Sequence, residues 1–317
     1  MRILYIYRDY KGRRKKYGEM MAKCGHDVIY MEIKEKKIPD QVKIKHIKKH
    51  NPDMVWVYTP YYISRRVIPK ETLDYIHSKN IPVAMYSTID PEAPWTEDMH
   101  VWKEIDYLFI HYKPLCDYLN QKGLNAYYMP LGFYPDQYYK TKAKKIYDVS
   151  FMGNALSYLP LEKDKRSEYL QSLEDYKLGV FGASFNDRLT GIPVRKFRSN
   201  DEQRNVYSKS KINLDLPFVN YRHPFYEGQY HFKNRFFEIP ATRNFLLALR
   251  TPEALELFPE DTIGYYDDSI DSLRESVSRY LKDDQIRKTM AKKAYKLVHE
   301  KYTYLHMFKN MFKIIGG

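Results

Sequence analysis

Lys211-Ile-Asn-Leu-Asp-Leu-Pro217, Lys233-Asn-Arg-Phe-Phe-Glu-Ile-Pro-Ala241 and Phe245-Leu-Leu-Ala-Leu249 make up the stretch that decides the fold. A polar and aromatic loop through Tyr221, Arg222, His223, Glu227, Gly228 and His231 separates the first piece from the second. The short apolar runs are strand-like, and Asn234 is placed to cap a helix between them. A helix start exposes backbone N–H groups and the positive end of the helix dipole; Lys233 and Arg235 add two cations there. Glu238, about a turn further on, is an acceptor for a diol such as a ribose. Phosphate at one end and ribose at the other describe a nucleotide-sugar site. The plainer reading of Arg235 and Glu238 is an i,i+3 surface pair worth a few tenths of a kcal/mol. Pro240 lacks an N–H, so it belongs near the first turn or kinks the segment.

Outward from this stretch, strands alternate with helices. In the N-terminal half the apolar runs predict strands at 3–7, 28–32, 54–58, 83–86, 107–110 and 126–129, with helices between them. That order argues for a parallel sheet with right-handed crossovers, a Rossmann-like doubly wound domain whose ligands lie beyond the carboxyl ends of its strands. Pro130-Leu-Gly132 and the polar residues to 145 read as a hinge, and a second α/β unit starts at Asp148-Val-Ser-Phe-Met152. Its further strands are predicted at 177–181 and 262–266, with a helix at 201–208. The last fifty residues read as helix, with one apolar face through Ile286, Met290, Ala294 and Leu297 and another through Tyr304, Met307, Phe308, Met311 and Phe312. The expected fold class is α/β, with two Rossmann-like doubly wound domains facing a cleft. Their expected limits are 1–140, 141–300 and a C-terminal helix at 301–317.

A chain of 317 residues is long enough for two such cores. No apolar run approaches the ~20 residues needed to span a bilayer, and the N-terminal run is too short for a signal peptide. The expectation is therefore a cytoplasmic protein, at most peripheral to a membrane. Cys24 and Cys116 read as two reduced, packed thiols. The net charge of +13 predicts attraction to polyanions such as nucleic acid, an anionic membrane face or a phosphate-rich polymer. A solvated surface in a lysine-rich protein explains the same charge equally well.

The chain has no G-x-G-x-x-G, P-loop, H-E-x-x-H or paired C-x-x-C motif, and its histidines do not cluster at metal-ligand spacing. It also lacks a D-x-D triplet, a common metal–diphosphate clamp. Gly153 and Asn154 close the first βα turn of the second unit, where backbone N–H groups can meet phosphate; a tight structural turn is the equal alternative. In the first unit, the predicted strand ends point to Asp90, Asp9, Tyr10 and His111 as acceptor-side candidates. Asp90 is the preferred catalytic base, although Asp90-Pro91 also reads as a plain turn.

Arg235-x-Phe-Glu238-x-Pro-Ala241 followed by Phe245-Leu-Leu resembles the donor-site signature of a GT-B glycosyltransferase family, the CgeB-like (spore-maturation-protein-like) group related to the group 1 glycosyltransferases. Tyr147-Asp-Val-Ser-Phe-Met-Gly153, Ser210-Lys-Ile-Asn-Leu214 and Lys301-Tyr-Thr-Tyr304 are similar to the same family, so the resemblance runs over 148–312. It implies that Glu238 binds the donor ribose and that Arg235 and Lys233 bind the diphosphate. It also implies that 194–197 belongs to the base-recognition region, with Val194 and with Phe185 or Phe197 against the base. It further implies that the C-terminal helix returns to the first domain. Where the family has a glycine between the alanine and the phenylalanine, this chain has Thr242-Arg243-Asn244, with Asn244 the candidate for a left-handed cap.

The implied activity is sugar transfer from a nucleoside-diphosphate sugar, a UDP-sugar being favoured. No metal cofactor is implied, since cations and a helix terminus stabilise the leaving diphosphate. A cell-envelope or surface glycan is the favoured acceptor. DNA carrying a hydroxymethylated base is the next, because phosphate contacts suit a basic chain. A non-catalytic surface protein that kept the fold is the third reading.

Overall fold

The computed structural model describes residues 1–7, 15–33, 39–57, 70–87, 102–155, 164–185, 187–196, 199–216, 230 and 232–316. The chain divides into two compact units, Met1–Leu131 with Tyr304–Gly317, and Gly132–Thr303.

The first unit holds β1 (Arg2–Tyr7), α1 (Lys15–Lys23), β2 (Asp27–Glu32), α2 (Asp40–His50), β3 (Met54–Val57), α3 (Lys70–Ser78), β4 (Val83–Ser87), β5 (Tyr107–Ile110), α4 (Lys113–Gln121) and β6 (Ala126–Tyr128). Its six strands form one parallel sheet in the order β2-β1-β3-β4-β5-β6. A parallel sheet covered on both faces needs apolar residues at nearly every position rather than at alternate ones. Ile3, Leu4, Tyr5 and Ile6 of β1 and Met54 to Val57 of β3 are accordingly all buried.

The second unit holds β7 (Tyr147–Met152), α5 (Lys165–Gln171), β8 (Leu178–Phe181), β9 (Val194–Arg195), α6 (Asn200–Lys209), β10 (Ser210–Asp215), α7 (Arg235–Ala241), β11 (Leu246–Leu249), α8 (Pro252–Leu257), β12 (Gly264–Tyr266), α9 (Ile270–Lys282) and α10 (Asp284–Lys301). These strands also run parallel, in the order β12-β11-β10-β7-β8-β9. The chain steps from β7 outward to β8 and β9, then returns to the other side of β7 as β10. The order therefore reverses between β7 and β10, which makes their carboxyl ends the topological switch point where ligands of such sheets bind. Buried Asn213 on β10 is fully used: Oδ1 accepts from Ser150 Oγ at 3.0 Å, and Nδ2 donates to the Tyr207 and Phe245 carbonyls.

The last helix, α11 (Tyr304–Gly316), packs on α1 in the first unit. Phe308 stands 5.5 Å from the Tyr17 ring and 5.6 Å from Trp56, and Phe312 lies 3.9 Å from His26 between ring centroids. Burying one such phenylalanine contributes about 1.5–3 kcal/mol. The apolar face read from Tyr304, Met307, Phe308 and Met311 is the buried one.

Two expectations about local structure are corrected. Asn234 has helical backbone angles and its side chain makes no capping hydrogen bond, because the first turn already begins with Phe236 N–H donating to the Lys233 carbonyl. The left-handed residue after α7 is Arg243, at φ 57°, not Asn244. Arg243 N–H donates to the Pro240 carbonyl and Asn244 N–H to the Ile239 carbonyl, which is the Schellman pairing. Pro240 lies inside the helix, near its end rather than its start.

Candidate functional site

The carboxyl ends of β7 and β10 are held by two buried arginines. Arg235, the first residue of α7, brings Nε to 2.6 Å from Asp215 Oδ1 with both side chains nearly inaccessible. The N–H does not point along that contact, so it is an ion pair rather than an aligned hydrogen bond. The terminal nitrogens of Arg235 donate to the Met152 carbonyl at 3.3 Å and the Leu216 carbonyl at 2.9 Å. A guanidinium has five N–H bonds, so one on each terminal nitrogen is left beyond these contacts. Arg166, from α5, donates to the Asn154 carbonyl and, at 3.3 Å, to the same Leu216 carbonyl. Both guanidinium groups lie by the Phe151 ring, at 5.1 and 5.3 Å from its centroid, within cation–π range.

Two buried cations thus share one buried carboxylate at the switch point. Burial pushes the Asp215 carboxyl above its ordinary value, and the charges of Arg235, Arg166 and Lys233 only partly offset this. The local balance is positive, and an anion placed there meets preorganised donors.

Helix α7 is seven residues long and every one of them is buried. Its short run of peptides gives a modest dipole, so the guanidinium groups supply most of the positive field. Glu238 lies in the first turn, and its Oε2 accepts from Gln203 Nε2 at 2.9 Å. The same amide donates to Tyr207 Oη at 2.6 Å, while Gln203 Oε1 accepts from Tyr138 Oη at 2.9 Å. Burial, then the Glu238 charge, pushes the Tyr207 phenol well up. Glu238 is therefore an oriented carboxylate one helical turn from the arginine pair.

Gly153 sits beneath that pair: a Cβ on it would stand 2.8 Å from the Phe151 ring and 3.1 Å from Arg235 Nη1. Gly182 is more constrained, since its Cβ would lie 1.8 Å from the Gly153 carbonyl oxygen. Asn154 staples the neighbouring turn, with Oδ1 accepting from Ala183 N–H at 2.9 Å. Phe185 is wholly buried, edge-on to Phe151, so the ring expected to stack on a base is a core residue. Val194 pairs with Val180 at the sheet edge, where Arg195 lies over the Tyr147 and Phe181 rings. His111, at the carboxyl end of β5 in the first unit, is buried with Nδ1 2.9 Å from the Ser87 carbonyl. A carbonyl only accepts, so this contact assigns the proton to Nδ1. Asp9, Tyr10, Asp90 and Phe197 fall outside the described residues.

The structure brings Arg235, Gly153 and Asn154 together and puts Glu238 a turn away, with the Lys233 charge felt at Asp215. It adds three residues the sequence reading missed. Asp215 carried a signal, a carboxylate closing an apolar strand. Arg166 and Gln203 carried none, each being one polar residue among many on a helix. Among the described residues no three His, Cys, Asp or Glu side chains converge as metal ligands, and no helix is long and apolar enough to cross a membrane.

Comparisons with known proteins bear on this arrangement. The family profile described as glycosyl transferase-like matches residues 165–313, a little under half of the chain. No curated protein sequence matches. Among solved structures, sucrose-phosphate synthase from Thermosynechococcus elongatus is similar over 100% of this chain and 98% of its own, at 11% identity and a TM-score of 0.67. The trehalose-6-phosphate synthase OtsA is similar over 99% and 98%, at 9% identity and a TM-score of 0.62. TarM of S. aureus, solved with UDP, covers 86% of this chain and 58% of its own, at 11% identity and a TM-score of 0.59. The glycosyl transferase-like match falls across most of the second unit, and the chain shares the fold of these solved structures.

Proposed function

We propose that the protein transfers a sugar from a nucleoside-diphosphate donor, with a UDP-sugar favoured, and that the diphosphate binds at the carboxyl ends of β7 and β10. The observation that carries this reading is the pair of buried guanidinium groups at the switch point with Glu238 one turn away. The bond between the anomeric carbon and the β-phosphate oxygen breaks as an acceptor hydroxyl attacks that carbon and gives its proton to a base, for which Asp90 is the candidate. Negative charge then grows on the departing diphosphate. Arg235, with Lys233 beside it, meets that charge with donors already oriented, which lowers the barrier without reorganisation at the moment of reaction. Arg166 and Asp215 keep Arg235 in place. Glu238, held by Gln203, accepts hydrogen bonds from the ribose hydroxyls.

The same reading makes the chemistry independent of a divalent metal, with a surface glycan as acceptor. TarM, solved with UDP, shares the fold and supports the choice of uridine. A panel of nucleoside diphosphates and their sugars in thermal-shift assays, repeated with chelator, tests the proposal. Tight binders raise the melting temperature by linkage. Stabilisation by a uridine diphosphate that survives chelation is expected; no response to any nucleoside diphosphate would overturn the reading.

A further inference from the structure

We propose that residues 139–146 of the second unit form a docking surface for an anionic lipid bilayer. The segment reads Tyr139-Lys-Thr-Lys-Ala-Lys-Lys-Ile146 and carries neither helix nor strand. It is nevertheless pinned along its length. Thr141 Oγ1 lies 2.5 Å from Ser208 Oγ, Lys145 Nζ donates to the Ser210 carbonyl at 2.7 Å, and Ile146 N–H donates to the Lys209 carbonyl at 2.8 Å. Thr141 and Ala143 are half-buried, while Lys140, Lys142 and Lys144 are exposed. The strap's backbone is thus held in place and presents Lys140, Lys142 and Lys144 as a row of exposed lysines, so little backbone freedom is lost when something binds.

Its two ends are apolar and exposed, Tyr139 at 45% and Ile146 at 48%. Ile286, 38% exposed, sits in the first turn of α10, whose Arg287 and Asp284 lie within electrostatic reach of Lys145. Most acids nearby already have partners: Asp201 with Arg204, Asp148 with Lys211, and Asp284 with Arg287 and Lys288. Lysines that reach headgroups beside large apolar side chains that enter the interface are the two ingredients of peripheral membrane binding. A phosphate polymer satisfies the lysines but offers nothing to Ile146, so the lipid surface is the better match. The net charge of +13 adds long-range attraction.

Vesicle sedimentation with the full chain tests this. The protein is expected to pellet with phosphatidylcholine vesicles containing about one-third phosphatidylglycerol, and to stay in solution with pure phosphatidylcholine. Each lysine is worth about five-fold in partitioning, so K140Q/K142Q/K144Q is expected to lower it about 100-fold. Y139S/I146S is expected to lower it about ten-fold while the salt sensitivity remains. Thermal melts of both variants check that the fold is intact. Wild-type partitioning by the lysine variant would overturn the proposal. So would an unaffected Y139S/I146S variant whose vesicle binding is competed away by inorganic polyphosphate, since that marks a polyanion site.

Discussion

Replacing Arg235 with methionine removes the cation but keeps most of the side-chain volume, which leaves Asp215 buried without its partner. Breaking a buried ion pair from one side costs about 3–5 kcal/mol. The carboxyl has an escape, because burial already raises its pKa and loss of Arg235 raises it further. The sign of the pH dependence follows. A carboxyl whose folded pKa lies above its unfolded one takes up a proton on folding in the window between the two. Stability is therefore highest below the unfolded value and falls as pH rises through that window. Arg235→Met is accordingly expected to be less destabilised at about pH 5 than at about pH 8. Adding Asp215→Asn removes the stranded charge and restores stability to within about 1–2 kcal/mol of the wild type. Turnover behaves differently. If Arg235 meets the leaving diphosphate, its loss costs about 2–4 kcal/mol of transition-state binding, a fall in kcat/KM of about 30- to 900-fold in single and double variants alike. Urea melts read the first effect, and release of nucleoside diphosphate from the donor reads the second. A double variant that regains turnover together with stability would refute the reasoning, since Arg235 would then act only through the fold.

Four further outcomes are expected. Glu238→Ala removes the oriented acceptor and is expected to weaken donor binding about ten- to a hundred-fold in titration calorimetry, with a smaller effect on the 2′,3′-dideoxy nucleotide; equal losses for both would remove the ribose role. Arg243→Gly relieves a left-handed residue worth about 1–2 kcal/mol of strain, less the glycine entropy, and is expected to raise the melting temperature by about 1–4 °C; a lower melting temperature contradicts this. Gly182→Ala drives a Cβ into the Gly153 carbonyl and is expected to cost about 3 kcal/mol in urea melts, with donor affinity falling because the β7 turn moves. Cys116, its thiol pushed up to about 12 by burial, is expected to resist a disulfide reagent in the native protein and to react on unfolding, with Cys24, raised less, reacting in between; rapid native labelling of Cys116 would contradict the packing of α4.

Much of the fold was legible because parallel sheets need continuous apolar runs. Ile3 to Tyr7, Met54 to Val57 and Phe245 to Leu249 announce their strands without alternation. The short strand β9 was not legible, since Val194-Arg195 is held by its edge pairing with Val180 and Phe181 and not by its own pattern. Arg235 and Glu238 could be singled out because they sit at fixed spacing before an apolar strand. Their surroundings could not, because Arg166 and Asp215 reach the switch point only through the strand order. The Asn234 cap and the Asn244 left-handed turn failed for a related reason. Propensity favoured asparagine at both positions, while hydrogen bonding set the register: the helix already turns at Lys233, and the Schellman pairing after Pro240 puts Arg243 in the strained place.

The most direct test of the central claim is a crystal structure of the protein grown with a UDP-sugar or another nucleoside-diphosphate sugar. The account predicts diphosphate oxygens within hydrogen-bond distance of Arg235 and the ribose hydroxyls on Glu238. Nucleotide bound elsewhere, with the carboxyl ends of β7 and β10 filled by the protein's own side chains, would contradict it.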